Sequence, residues 1–309
     1  MDTRSIGALQ VSVVGIGCNN FGGRIDDVRT AEVVQAALDA GINFFDTADV
    51  YGGTKSEEFL GRALGARRDE AVIASKFGSE IDPEHKGARP DYVKRACEDS
   101  LRRLGTDRID LYQLHRADPE TPIAETLGAL NELVAEGKVL EIGCSNFDAA
   151  MLADAEGEVQ PGAAGFVSVQ NHYSLLERAD AAEVLPFCEK AGVAYLPYFP
   201  LANGLLTGKY RRGAELPEGA RITGMAEERR QRVANEKNME IVEQLIAFAE
   251  SKGHTVLDLA FASLLAEPEI ASVIAGATSG EQVRANAATA SWRLSEDEVA
   301  AIDAIAPRP

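Results

Sequence analysis

From about residue 11 onward, short runs rich in β-branched side chains alternate with longer segments whose apolar positions recur at helical spacing. The runs lie near 12–17, 42–45, 71–76, 109–114, 139–144, 165–170, 193–197 and 271–275. Helical periodicity fills the gaps near 28–40, 55–65, 90–104, 122–136, 147–155, 180–191 and 237–251, and returns near 280–289. Repeated β-α units of this kind predict a parallel sheet of the α/β class. Eight of them within 309 residues predict a single (β/α)8 TIM barrel occupying 1–309 as one domain. A doubly wound open sheet is the alternative. Reacting groups of a barrel gather at the carboxyl ends of its strands, so that rim is where chemistry is expected.

Residues at the element ends add detail. Thr54 with Glu57 has the spacing of a capping box for the second helix, and Pro90 opens the third where its missing N–H costs nothing. Gly41, Gly105, Gly137 and Gly192 follow helices at positions that favour a left-handed residue. Residues 2–10, with Gly7 between two short extended pieces, predict an N-terminal β-hairpin cap across the amino-terminal end of the barrel. The stretch from about 200 to 236 is too long and polar for an ordinary connection. It is expected to be a long covering loop after strand seven, with a helix of its own near 225–233.

Charge narrows the choice of partners. With 49 acidic against 31 basic side chains, the formal net charge is −18, which repels phosphate backbones and anionic membrane surfaces and disfavours nucleic acid or a membrane as partner. The opening residues carry no secretion signal and no apolar run approaches a bilayer span, so a cytoplasmic protein is expected. Cys18, Cys97, Cys144 and Cys188 are far apart and form no C-x-x-C pair, and His85, His172 and His254 have no metal-ligand spacing. Neither a disulfide framework nor a metal site is predicted, and no oligomeric state is specified.

Four residues concentrate at the exits of successive strands. Asp46 and Tyr51 follow the second run, Lys76 ends the third and His115 follows the fourth. A carboxylate, a phenol, an ammonium and an imidazole on one rim suit proton donation to a carbonyl, because hydride addition builds negative charge on its oxygen. Gly15-Ile16-Gly17-Cys18-Asn19-Asn20 looks at first like a dinucleotide fingerprint, but Asn20 holds the third glycine position and no helix starts there.

The segments Asp46-Thr47-Ala48, Tyr51-Gly52, Ala74-Ser75-Lys76 and Asp110-Leu111-Tyr112 with His115 resemble the aldo-keto reductase superfamily. The resemblance continues in order through Gly143, Ser145-Asn146-Phe147, Val169-Gln170-Asn171, Tyr173-Ser174, the Gly204–Lys209 loop and Gly276-Ala277-Thr278, closer to the bacterial and channel-subunit branches. It implies a barrel that binds NADPH across its carboxyl-terminal face, with NADH possible, and reduces a small-molecule aldehyde or ketone without a metal. Tyr51 is then the proton donor, Lys76 favours its ionised form, Asp46 pairs with Lys76 and contacts the cofactor ribose, and His115 orients the carbonyl.

The same resemblance assigns Ser145, Asn146 and Gln170 to the carboxamide, Tyr198 to stacking on the nicotinamide, and Leu201, Gly204 and Lys209 to the pyrophosphate. Gly276, Thr278, Gln282 and Asn286 fall to the adenosine end, where N–H groups opening a helix are expected to cradle a 2′-phosphate. Two departures stand out. Phe199 replaces a serine common in the family, and Gly276 and Gln282 stand where NADPH-selective relatives are basic, with Arg284 as a compensating charge. Phe21, Val50, Phe77, His85, Arg116 and Asn203, with parts of 210–230, are expected to line the substrate pocket. Arg116 either attracts an acidic carbonyl compound or pairs with Asp118. A second function follows from the related branch, a cofactor-sensing subunit like the potassium-channel β-subunits.

Overall fold

A computed structural model describes residues 1–215 and 221–309. Strands β1 (Thr3–Ile6) and β2 (Leu9–Ser12) pair antiparallel around Gly7. Gly7 has φ of 54°, and a Cβ there would sit 2.4 Å from the Glu141 carboxylate, so both the turn and the close approach require glycine. Eight further strands run parallel: β3 (Val14–Gly17), β4 (Phe44–Asp46), β5 (Val72–Phe77), β6 (Ile109–Leu114), β7 (Val139–Ser145), β8 (Phe166–His172), β9 (Ala194–Tyr198) and β10 (Val273–Gly276). Their order is β10-β3-β4-β5-β6-β7-β8-β9. The residues just before β10 bring the two edges together: Tyr195 N–H donates to Glu269 O at 2.8 Å and accepts at its own carbonyl from Ala271 N–H at 3.1 Å. The fold is a (β/α)8 TIM barrel with an antiparallel N-terminal hairpin.

The two-residue period of a strand sorts its side chains between barrel interior and helical jacket. Phe44, Ala74, Leu111, Leu196 and Ile274 form the inner core, and Ile6 and Val11 of the hairpin plug its amino-terminal end. Phe45, Ile73, Phe77, Tyr112 and Leu114, from the same strands, point outward into the larger core. Burying each such side chain contributes about 1.5–3 kcal/mol. On β5 and β6 the same alternation sends Lys76 and Gln113 inward with Ala74 and Leu111.

Eleven α-helices occur among the described residues. They are α1 (Asp27–Asp39), α2 (Lys55–Leu64), α3 (Pro90–Leu104), α4 (Ile123–Ala135), α5 (Ala149–Gly157), α6 (Val184–Ala191), α7 (Glu227–Val233), α8 (Glu236–Ser251), α9 (Val256–Leu265), α10 (Gly280–Ala288) and α11 (Glu296–Ile305). Gly41, Gly105, Gly137 and Gly192 are all left-handed, and Pro90 opens α3 as expected. Thr54 differs: it is itself left-handed and its side chain makes no capping hydrogen bond, while the Glu57 carboxylate is engaged by Ser75 and Arg103 rather than by the Thr54 N–H.

The segment 237–251 does form α8, yet α9 is the helix packed on β10, with α8 against α9 and α11. The α9 sequence, VLDLAFASLL, is apolar on nearly every side and lacks the one-sided stripe that marks a surface helix. The covering loop begins with a short 3-10 turn (Ala202–Thr207) and ends in α7; residues 216–220, within the expected loop and pocket segment, lie outside the described residues. Leu205, Leu206, Tyr210 and Ile222 anchor the loop on Val242, Leu245, Leu259 and Ala260. No helix among the described residues is long and apolar enough to cross a membrane.

Candidate active site

At the carboxyl ends of the strands lies a cavity of about 590 Å³. Asp46, Tyr51 and His115 line it from the exits of β4 and β6, and Lys76 lies fully buried beneath them on β5. Ser145, Asn146, Gln170 and Tyr198 line the wall formed by β7 to β9. Leu201, Gly204 and Lys209 enter from the covering loop, and Gly276, Thr278, Gln282 and Asn286 from the end of β10 and from α10. The two expected groups therefore share one cavity.

Lys76 is held from several directions. Its Nζ donates to both carboxylate oxygens of Asp46 at 2.7 Å and to Thr47 O at 2.9 Å. Gln170 Nε2 and Gln113 Nε2 donate to the same Asp46 Oδ1, at 2.8 and 3.3 Å. Burial disfavours the ammonium, but Asp46 and then Tyr51 outweigh it, and the lysine pKa is raised. The Nζ lies 5.1 Å from the centre of the Tyr51 ring, and the Tyr51 and His115 rings meet edge to face with centres 5.8 Å apart.

Burial dominates the Tyr51 phenol and raises its pKa, with Lys76 opposing. The lysine thus acts in the expected direction without winning, and Tyr51 holds its proton at neutral pH. For His115, burial first, then the charges of Lys76 and Arg116, push the imidazole down to about 3. It is neutral at physiological pH, and its Nδ1 is buried without a partner.

The wall beyond is cross-linked. Asn146, in a left-handed conformation with φ of 61°, donates to His115 O and to Ser145 Oγ, each at 3.0 Å. Ser145 Oγ donates to Gln170 O at 2.7 Å, and the Tyr198 hydroxyl donates to Asn146 Oδ1 at 2.8 Å. His172 stacks in parallel on Tyr198, with ring centres 5.4 Å apart and a 7° tilt, so one face of this tyrosine is already covered.

At the start of α10 the N–H groups already have acceptors. Thr278 N–H donates to Gln282 Oε1, Gln282 N–H to Ser279 Oγ and Gly280 N–H to Glu32 Oε1, at 2.9, 3.3 and 3.2 Å. Three N–H groups of the expected phosphate cradle are thus engaged within the protein, one of them by a carboxylate at its edge.

Several other expectations change. Phe21 and Phe77 are core residues with no exposed surface, Phe77 stacking on Tyr112 at 4.8 Å, and His85 Nδ1 bonds the Asp82 carboxylate at 2.8 Å. Val50 is absent from the residues lining the cavity, whereas Arg116 and Asn203 are among them. The loop after β3 begins no helix, yet Gly17, Asn19 and Asn20 line the cavity. Arg24 and Arg221 are additions: both line the cavity, and neither they nor Lys209 has an acidic partner among the described residues. Gln113 is a third addition, detectable from its inward register two residues after Leu111. Arg221, inside a polar loop, carried no such signal.

On the outer side of β5 lies a second charge cluster. Glu57 of α2, with no exposed surface, accepts from Ser75 Oγ at 2.5 Å and from Arg103 Nε of α3 at 2.6 Å. Beside it Asp49 is 1% exposed and neither carboxylate oxygen has a partner. Burial first, then the Glu57 charge, pushes its carboxyl up to about 8.

Comparison with known proteins places this geometry. The sequence model of the Aldo/keto reductase family matches residues 13–307. A protein named probable aldo-keto reductase 1 from Glycine max is 34% identical over 299 residues, covering 94% of this chain and 84% of that protein. One named probable voltage-gated potassium channel subunit beta, from Arabidopsis thaliana, is 33% identical over 289 residues, covering 90% and 87% respectively. An uncharacterized oxidoreductase, YrpG, from Bacillus subtilis (strain 168) is 34% identical over 315 residues, covering 97% and 94%.

Proposed function

The chain belongs to the aldo/keto reductase family, and from that premise we propose that it is one NADPH-linked catalytic unit reducing small aldehydes or ketones. The observation that carries this reading is the fully buried Lys76, held by both oxygens of Asp46 beneath a protonated Tyr51 that opens onto the cavity.

The residues fit a nicotinamide dinucleotide. Asn146, Ser145 and Gln170 present amide and hydroxyl groups on one wall, and Tyr198, backed by His172, offers a ring for stacking. Arg24, Lys209 and Arg221 suit its phosphates, with Leu201 and Gly204 beside them. Gly276, Thr278, Gln282 and Asn286 hold the adenosine end. Arg284, beside a Glu32 that is already paired with Arg29, would favour a 2′-phosphate there, so NADPH would be preferred and NADH accepted as well.

When bound, the reduced nicotinamide supplies the hydride. Tyr51 gives its phenolic proton to the carbonyl oxygen as negative charge builds there, and Lys76 stabilises the phenolate left behind. Asp46 keeps Lys76 charged and in place. His115, a neutral imidazole, offers a hydrogen bond rather than a charge and orients the carbonyl without competing for the proton.

One relative bears the name of a channel subunit, and this arrangement of residues is also compatible with a cofactor-sensing role. A panel of aldehydes and ketones followed by cofactor absorbance, with NADPH and NADH in parallel, separates the readings. The expected result is turnover of several carbonyls with an NADPH advantage. A clear NADH advantage overturns the cofactor assignment, and cofactor binding with negligible turnover across the panel favours the sensing role.

A further inference from the structure

The rim of the cavity has a polarity opposite to that of the whole chain. The protein carries a net charge of −18, yet the cavity is lined by Arg24, Arg116, Lys209 and Arg221 against a single acid, Asp46, which Lys76 neutralises. The four cations divide into two groups. Arg24 acts electrostatically on both Lys209 and Arg221, so these three stand together on the covering-loop side, where the proposed function places the cofactor phosphates.

Arg116 stands apart. It follows His115 directly and acts on both His115 and Tyr198, so it belongs to the side where the carbonyl is proposed to bind. Its sequence neighbour Asp118 does not pair with it. That carboxylate accepts instead from Ala88 N–H at 2.8 Å, Glu120 N–H at 3.0 Å and Thr121 Oγ1 at 2.8 Å, closing its own loop. Among the described residues the Arg116 guanidinium has neither an ion pair nor a hydrogen bond, and it remains exposed at the mouth. A planar fork of N–H donors without an acceptor, beside the imidazole that orients the carbonyl, is suited to an anionic oxygen group on the same substrate.

We propose that Arg116 selects carbonyl substrates bearing an anionic group, a carboxylate or a phosphate ester, by pairing with that group while the carbonyl faces Tyr51 and His115. The proposal rests on the reductase reading and specifies its substrate class. Arg116 here is a specificity-determining residue; the proton transfer remains with Tyr51.

The test compares two matched pairs of aldehydes, 4-formylbenzoate with 4-formylbenzamide and glycolaldehyde phosphate with glycolaldehyde. Each is assayed with the full-length wild type, Arg116→Gln and Arg116→Lys. In the wild type the anionic member of at least one pair should show a kcat/KM roughly tenfold or more above its neutral partner, as a charged hydrogen bond provides. The advantage should lie in KM and shrink as salt is raised. Arg116→Gln should bring the ratio towards one, and Arg116→Lys should keep part of it. The pair that responds identifies carboxylate or phosphate as the recognised group.

Neutral aldehydes reduced as well as their anionic partners in both pairs, or an anionic advantage that survives Arg116→Gln, overturns the proposal and leaves the reductase reading intact. Failure of all four aldehydes with either cofactor overturns the reductase reading and this proposal together.

Discussion

Two buried charge clusters share strand β5 and face opposite ways. Lys76 points into the barrel, where Asp46 holds it under the cavity; its neighbour Ser75 points out to Glu57 and Arg103 between the sheet, α2 and α3. Both clusters contain an acid bound to a cation, and both are largely buried. They differ in what lies at their edge. The inner pair borders a cavity through Tyr51 and His115, whose Nδ1 still lacks a partner. The outer pair is enclosed by packed side chains, and both oxygens of Glu57 are engaged. The proposed function assigns the chemistry to the inner cluster, although burial and ion pairing are common to both. The distinction lies in whether the charge network ends on a group that can reach a ligand.

The largest expected effect separates the open side from its scaffold. Tyr51→Phe removes one hydroxyl and leaves the Lys76–Asp46 pair intact. Turnover should fall by ~100 to 10,000-fold, the range associated with general acid catalysis, while cofactor affinity and melting temperature stay close to wild type. Steady-state rates, cofactor titration and thermal melting read the three quantities separately. Full turnover in this variant would remove the contrast between the clusters at its reactive end.

The enclosed side should respond in the opposite way. Arg103→Met leaves Glu57 as a buried carboxylate without its cation, a change that typically costs about 3–5 kcal/mol. The lower end is expected here because the Arg103 side chain retains 16% exposure. Denaturant unfolding should show this loss, with kcat per folded molecule unchanged. A fall in kcat at unchanged stability would instead place the outer cluster in the reaction machinery.

The inner cluster was more legible in the sequence than the outer one, for a physical reason. Asp46, Lys76 and His115 stand at the ends of apolar runs, and a parallel barrel brings all strand exits to one rim, so one-dimensional position predicts three-dimensional proximity. Glu57 had no such guide. Its spacing from Thr54 suggested a capping box, but a buried carboxylate gains more from Arg103 and Ser75 than from a helix terminus, and Thr54 is left-handed instead. The same limit applies to α9, whose all-round apolarity hides its period, to Phe77, whose outward register takes it into the core, and to Phe21, which the loop after β3 turns into the same core. Arg24 and Arg221 meet only through loop conformation, which local sequence does not encode strongly.

Asp49 tests where the boundary between the clusters falls. It sits in the segment joining Asp46 to Tyr51, yet among the charges acting on it Glu57 and Arg103 rank before Lys76, which assigns it to the enclosed side. Its carboxyl, ordinarily near 3.8, is pushed up to about 8 by burial and by Glu57, so the folded protein keeps a proton that the unfolded chain releases. The stability tied to that proton is fully present below the unfolded value and is lost progressively as pH rises towards about 8. Asp49→Asn is neutral throughout and escapes this loss, although its amide meets the same unpartnered surroundings at every pH. The difference between variant and wild-type melting temperatures should therefore move in favour of the variant between pH 5 and 8.5, by roughly 3–5 °C. A difference independent of pH would mean that Asp49 titrates normally. A displaced pH profile of kcat would show that its charge reaches Tyr51 through Lys76, and would move the boundary so that Asp49 belongs with the open cluster.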